Sequence, residues 1–367
     1  MSDRQRITPW QLMRDWVSRY LSDPQAVVLV LLLLLLFGVI VGMGEMLAPV
    51  LAAIVIAYLL EGVVRKLQLM GIGRRALVGL VFTLFMLLLL VVLIGLTPLV
   101  WVQTVDLARQ LPGYIATLLE MLQKLPEAYP NLLDEAQLQK LMQLIQTKSG
   151  EFVQFIVSAS ISSIPSLITL LVYAVLVPML VFFFLSDKEN ILRWFTNFLP
   201  NERPLMNRVW HEVDQQIGNY VRGKFWEIVI VGIATYVVFA IVGIKYAMLL
   251  SVLVGLSVVV PYIGALVVTI PIAVVGYFQW GMSAEYGWVM GAYLVIQALD
   301  GNVLVPLLFS GAVNMHPVAI IVAVLVFGGL FGFWGVFFAI PLATLVNALL
   351  SSWPRPKGEA NAAAGES

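Results

Sequence analysis

The chain has 367 residues, of which 61% are apolar and 11% charged, and its 21 basic and 21 acidic side chains cancel. A water-soluble globule carries roughly 25% charged residues to cover itself, so this composition points to a bilayer as the solvent. The neutral balance argues against a nucleic-acid partner. The absence of cysteine removes disulfides, thiolate nucleophiles and Cys-ligated metal. His211 and His316 stand in no zinc-ligand spacing, and no G-x-S-x-G or phosphate-binding loop occurs. The expected fold class is therefore all-α, a polytopic membrane protein of about eight crossings, with no catalytic site, metal or cofactor.

In chain order, residues 1–25 hold Arg4, Arg6, Arg14 and Arg19 and read as a cytoplasmic segment. Residues 26–43 are uncharged and long enough for a first span, since roughly 17 residues suffice. A shorter span at 46–60, with Pro49, is expected to pair with it as a hairpin turning at Glu45. Arg65, Lys66, Arg74 and Arg75 precede a third span at 76–102, which ends near Trp101 at interfacial depth. Residues 103–160 form an external segment. Ile115, Leu118, Leu119 and Leu122 repeat at helical spacing, as do Leu138, Leu141, Met142 and Ile145, with Pro126 and Pro130 between the two sets. These stripes pack on the membrane surface or on each other, or else meet neighbouring copies of the chain.

A fourth span at 161–186 contains Pro165 and Pro178 and stops at Ser186-Asp187-Lys188-Glu189. Residues 187–224 read as cytoplasmic amphipathic helices, with Leu205, Val209, Val213, Ile217 and Val221 on one face. That face leads into a fifth span at 225–243, where Glu227 sits near Lys224 and Trp226, most simply as an ion pair reaching the interface. Residues 225–350 make up a C-terminal membrane domain, and 351–367 a cytoplasmic tail.

Within that domain the polar groups are scarce enough to be informative. Between Lys245 and Arg355 the only charged residues are Glu285 and Asp300. Glu285 lies between Trp280 and Trp288 and reads as an exposed loop residue. Asp300 lies in Gln297-Ala298-Leu299-Asp300-Gly301-Asn302 with no basic neighbour in sequence, and a carboxylate at mid-helix costs about 2.5 to 3.5 kcal/mol on insertion scales. It faces a wet path or a partner, or else caps an interfacial turn. Pro261-Tyr262-Ile263-Gly264 interrupts 246–282, which must bend, fold back or split. Gly301-Asn302 with Pro306 marks a second break in 286–312, and Gly328, Gly329, Gly332, Gly335 and Pro341 punctuate the last span at 317–349. Such breaks free backbone groups that lipid cannot satisfy, as in the discontinuous helices of secondary transporters, although glycines also serve close helix packing. The transport-path candidates are Asp300, Gly301, Asn302, Pro306, Gln297, Pro261, Tyr262 and Gly264, with Glu227 and His316 secondary. The segments 243–271 and 313–341 both end in Ile-Pro, but they match at only four of 29 positions, so no internal repeat follows.

Asn219-Tyr220-Val221-Arg222-Gly223-Lys224, Val260-Pro261-Tyr262-Ile263-Gly264-Ala265, Gln297 to Asn302 with Pro306, His316-Pro317, and Gly328-Gly329 through Gly335 to Pro341 together resemble the PerM permease group of the autoinducer-2 exporter (AI-2E) superfamily. The resemblance implies a multi-pass bacterial inner-membrane protein, and the basic residues of the N-terminal segment and tail lead to the expectation that both termini are cytoplasmic. The resemblance also implies a homo-oligomer, with a pentamer as the expected form, and export of autoinducer-2 or sodium or lithium/proton antiport. Much of the family carries other residues where this chain has Asp300. The expected function is secondary transport of a small polar solute, coupled to a proton or sodium. The alternative of another class is a membrane scaffold or assembly factor docking partners through 103–160.

Overall fold

A computed structural model of the chain describes residues 24–128, 139, 140, 142–148, 150, 151, 154, 163–199, 203–309 and 316–352. The arginines of the N-terminal segment, Pro130, Leu138, Leu141 and most of the C-terminal tail lie outside them. Every regular element among the described residues is helical. They are α1 (Pro24–Gln68), α2 (Arg74–Val91), α3 (Thr97–Ala128), α4 (Ser163–Ser186), α5 (Lys188–Thr196), α6 (Pro204–Val242), α7 (Ala247–Ser257), α8 (Ile263–Trp280), α9 (Ala284–Leu299), α10 (Val305–Phe309), α11 (Pro317–Phe337) and α12 (Ala339–Ser352). Two π-helical turns, Val92–Leu96 and Asp300–Leu304, join α2 to α3 and α9 to α10.

Six helical stretches among the described residues are long and apolar enough to cross a membrane, and the pair α4–α5, bent by 78°, raises the number to seven. The expected eight crossings exceed this number. The break expected at Glu45 falls two residues earlier, at Met43, where α1 joins two helices across a kink with φ −129° and ψ 18°. The helix of the third span does not stop at Trp101 but continues through α3 to Ala128. The segment 317–349 is interrupted at Gly332, where φ is +59° and ψ −136°.

The chain forms two compact units. One comprises residues 1–62, 183–222 and 311–367, and the other 63–182 and 223–310. In the first, Tyr58 Oη donates to Asp214 Oδ1 at 2.6 Å, Lys188 Nζ donates to Glu61 Oε1 at 3.3 Å, and Arg222 crosses Gly62. The 78° bend between α4 and α5 falls at Asp187, and it leaves Trp194, Phe195 and Phe198 clustered and exposed on and just beyond the short helix.

In the second unit the core is built on Val231, Phe239, Leu250, Val254, Val268, Ile272, Val289 and Tyr293, contributed by α6, α7, α8 and α9. At 11 residues α7 is about 16 Å long, half of a hydrocarbon core, so it cannot cross alone. Gln279, at the far end of α8, accepts from Lys245 N at 2.6 Å and donates to Gly243 O at 2.8 Å, just before α7 begins. Of the three options for 246–282, the chain takes the one that folds back. The stripe of α3 turns toward its own unit. Leu119 is buried, Tyr114 stacks on Phe278 at 4.4 Å, and Gln103 Oε1 accepts the Leu249 N–H at the start of α7.

The fold-back depends on a close approach. A Cβ on Gly264 would sit 1.8 Å from Ser257 O, so no other residue fits where α8 departs from α7. The turn at Gly332 repeats the device, since a Cβ on Gly335 would sit 1.8 Å from Phe327 O. Each of these glycines precedes an Ile-Pro pair, Ile270-Pro271 and Ile340-Pro341, so the likeness that identity failed to register is one of local backbone design. Replacing Gly264 with Ala should destabilise the protein by about 3 kcal/mol or more, as severe overpacking does. Gly301→Ala, whose Cβ would meet open space, should change it by about 0.5 kcal/mol or less. Denaturant unfolding in mixed micelles compares the two, and equal losses would contradict the close-approach argument.

Candidate functional site

Proline explains both π-turns. A proline has no N–H for the carbonyl four residues back, and its ring collides with that carbonyl. Pro98 and Pro306 each stand two positions after a π-turn, and the residue between donates five back, Thr97 N to Val92 O and Val305 N to Asp300 O. The helix widens to make room, so the expected break at Gly301-Asn302 is a bulge within one continuous stretch from α9 to α10. Asn302 Nδ2 donates to Ala298 O at 2.8 Å and supports the widened turn. Such bulges often coincide with functional sites.

This bulge carries Asp300. The partner that sequence proximity could not supply is Lys224 on α6, whose charge acts on the carboxylate. Lys224 is 4% exposed, and its Nζ lies 2.7 Å from Glu227 Oε2, itself on a residue 3% exposed. The same ammonium donates to Val258 O at 2.8 Å, in the turn between α7 and α8, and stands 5.5 Å from the centre of the Phe309 ring. Phe309 reaches that position because Gly223 gives it room; a Cβ there would lie 2.7 Å from the ring. Asp300 also acts on Glu227, so two carboxylates lie within electrostatic reach of one lysine, and Glu227 is the one in contact with it. Asp300 Oδ1 is buried with no hydrogen-bond partner among the described residues, as is Gln297 Nε2 one turn earlier.

The expected site residues divide accordingly. Asp300 and Glu227 come together through Lys224, and the Val258 carbonyl joins them to the turn that holds Pro261, Tyr262 and Gly264. Glu227 does form the ion pair, but it is buried instead of reaching the interface, while Trp226 beside it is 53% exposed. Gly301, Asn302 and Pro306 are exposed and shape the bulge without facing the cluster. Tyr262 is 62% exposed and takes a left-handed φ of 62°, leaving its side chain out of the turn's interior. The carbonyls expected to be free at the α7–α8 turn are largely taken: Val258 O by Lys224, Ser257 O by Val260 N at 3.0 Å, and Val260 O by Gly264 N at 3.0 Å. His316 belongs to the other unit, where its Nδ1 accepts from Val318 N at 3.2 Å and caps α11. Glu285 is exposed beside the capping Ser283 of α9. No group of three or more metal-ligating side chains occurs among the described residues.

Lys224 was read only as the interfacial partner of Glu227, because Trp226 and the basic residues preceding it suggested the membrane surface. The signal available was the six-residue motif ending in Gly223-Lys224, where a small residue beside a lysine marks a close contact.

A family model described as AI-2E family transporter matches residues 28–355. The chain belongs to the AI-2E transporter family. It is 45% identical over 344 residues to the protein of Escherichia coli (strain K12) named "Putative permease PerM", covering 94% of this chain and 98% of that one. It is 25% identical over 315 residues to "Putative transport protein YueF" of Bacillus subtilis (strain 168), covering 84% of each. The AI-2E membership and the apolar helices together make this a multi-pass membrane protein of a permease family.

The cluster predicts a non-additive stability pattern. Glu227→Ala should cost about 3 kcal/mol, because Asp300 remains to balance Lys224, and Asp300→Asn alone should cost less. Combined, they strand a buried ammonium, and the loss should exceed the sum of the two by about 1 kcal/mol or more. Unfolding of the four proteins in mixed micelles tests this, and simple additivity would mean the three charges do not share one environment.

Proposed function

We propose that this protein is a secondary transporter that carries a small polar solute of the autoinducer-2 kind across a bacterial inner membrane, past the α7–α8 turn and the π-bulge at Asp300. The observation that carries the reading is the Asp300 carboxylate, placed within a membrane-spanning stretch with one oxygen buried and unpartnered. Carboxylates at membrane depth are costly and usually belong to substrate or ion pathways. Family membership supports transport as the activity. Both termini face the cytoplasm in this reading, and the working form is a homo-oligomer, with a pentamer as the expected number.

Sodium or lithium/proton antiport is the second reading, favoured by two carboxylates against a single ammonium, which leaves one negative charge to be balanced. A scaffold or assembly factor is less favoured by α3, where Leu119 is buried and Tyr114 stacks on Phe278 of α8, although Leu118 of the same stripe is exposed.

The test is flux into proteoliposomes with autoinducer-2, sodium and lithium, each with and without a pH gradient. Accelerated uptake of autoinducer-2 over protein-free vesicles supports the first reading, and gradient-driven sodium or lithium flux with no solute movement supports the second. Asp300→Asn should reduce coupled flux at least tenfold and flatten its pH dependence. Unchanged flux and pH profile in that variant would remove Asp300 from the coupling.

A further inference from the structure

The charges in the cluster do not balance when all are ionised. Lys224 supplies one positive charge, while Glu227 and Asp300 supply two negative ones, and both Lys224 and Glu227 are almost wholly buried. An uncompensated charge is strongly disfavoured in such surroundings, whereas a neutral set is tolerated. Among the described residues, these groups face this charge from the packed elements. α6 supplies Lys224 and Glu227, the α7–α8 turn supplies the Val258 carbonyl, the α9 bulge supplies Asp300 with Gln297 and Tyr293 one and two turns earlier, and α10 supplies the Phe309 ring. Tyr293 is already committed, donating to Ala265 O at 2.8 Å and lying 3.1 Å from Thr269 Oγ1.

We propose that Lys224, Glu227 and Asp300 form a proton-binding site that holds one exchangeable proton between its two carboxylates, with the Lys224 ammonium linking its occupancy to the α7–α8 turn through the Val258 carbonyl. The proton adds to a lone pair of a carboxylate oxygen and leaves from it to water; no electrons are transferred. Asp300 Oδ1 is the receiving atom suggested by the geometry, because the ammonium already lies against Glu227 and leaves Oδ1 buried without a donor. When the proton departs, Asp300 competes with Glu227 for the ammonium. Any movement of Lys224 toward it loosens the hydrogen bond that holds Val258. Occupancy and the shape of the turn are thereby coupled. The role of this proton as a coupling ion rests on the transport reading, whereas its binding does not.

Infrared difference spectroscopy of the purified full-length protein in detergent at neutral pH, with no solute present, reads the site directly. The carbonyl stretch of a protonated carboxyl should appear in the parent with an area of one equivalent and vanish in Asp300→Asn, which leaves Lys224 and Glu227 as a neutral pair. In Lys224→Met, where two carboxylates lose their ammonium, the band should double. Absence of the band in the parent, or its persistence in Asp300→Asn, overturns the proposal. Asp300→Asn keeps the inference falsifiable even where Lys224→Met fails to fold. The readout needs no transported solute, so a failed flux assay leaves this site standing, and a missing band leaves the transport reading standing.

Discussion

An ammonium kept out of water has to be surrounded by compensating oxygens, and Lys224 satisfies that demand by drawing three parts of its unit onto one point. Glu227 from its own helix, the Val258 carbonyl from the α7–α8 turn and the Asp300 bulge all converge on it, with the Phe309 ring closing one side. Remove that charge and the turn has an orphaned carbonyl while two carboxylates lose the positive charge that offsets them. The polar groups therefore form one connected arrangement, and such arrangements are tolerated in a dry interior only when every member is satisfied. The exception to that rule is the buried, unpartnered Asp300 Oδ1, which is where the chemistry of this cluster is concentrated.

The fold-back of α7 onto α8 supplies the rest of the framework. It relies on Gly264 against the Ser257 carbonyl, with Gln279 pinning the other end to Gly243 and Lys245, so both ends of the hairpin are fixed by specific contacts. The arrangement at Gly335 and Phe327 uses the same economy in the other unit. In both places the backbone reverses with very little chain, and the polar groups freed by the reversal at the α7–α8 turn find partners within the protein, as membrane depth demands.

Much of this was legible in the sequence. Hydropathy alone located the apolar stretches, and the break at Pro261 to Gly264 was visible because proline and glycine interrupt helices for steric reasons that hold in any environment. The isolation of Asp300 was equally plain from the lack of charge between Lys245 and Arg355. What could not be read was its counter-ion, since Lys224 meets it through tertiary packing across three helices. Glu45 suggested a turn because charge usually leaves the bilayer, and the break falls beside it at Met43, between Gly42 and Gly44, where helix propensity is weak. Trp101 suggested an end to the third span, but an indole at the interface does not stop a helix, and α3 runs on even through Pro112-Gly113 to Ala128. The likeness between the two hairpins escaped residue matching because it resides in one glycine and one proline each, while the apolar positions around them are interchangeable.

The bulge before Pro306 also sets an angle. Nine ordinary helical steps at about 100° each would put residues 300 and 309 on opposite faces, about 180° apart. Absorbing one residue in the widened turn shortens the count to eight effective steps and brings the separation to about 80°. The carboxylate and the aromatic ring can then both look at the same lysine. An imino acid that touches neither group thus acts as the phase-setter of this stretch, and its exposed position on the outside of the helix conceals how much of the interior geometry is timed by it.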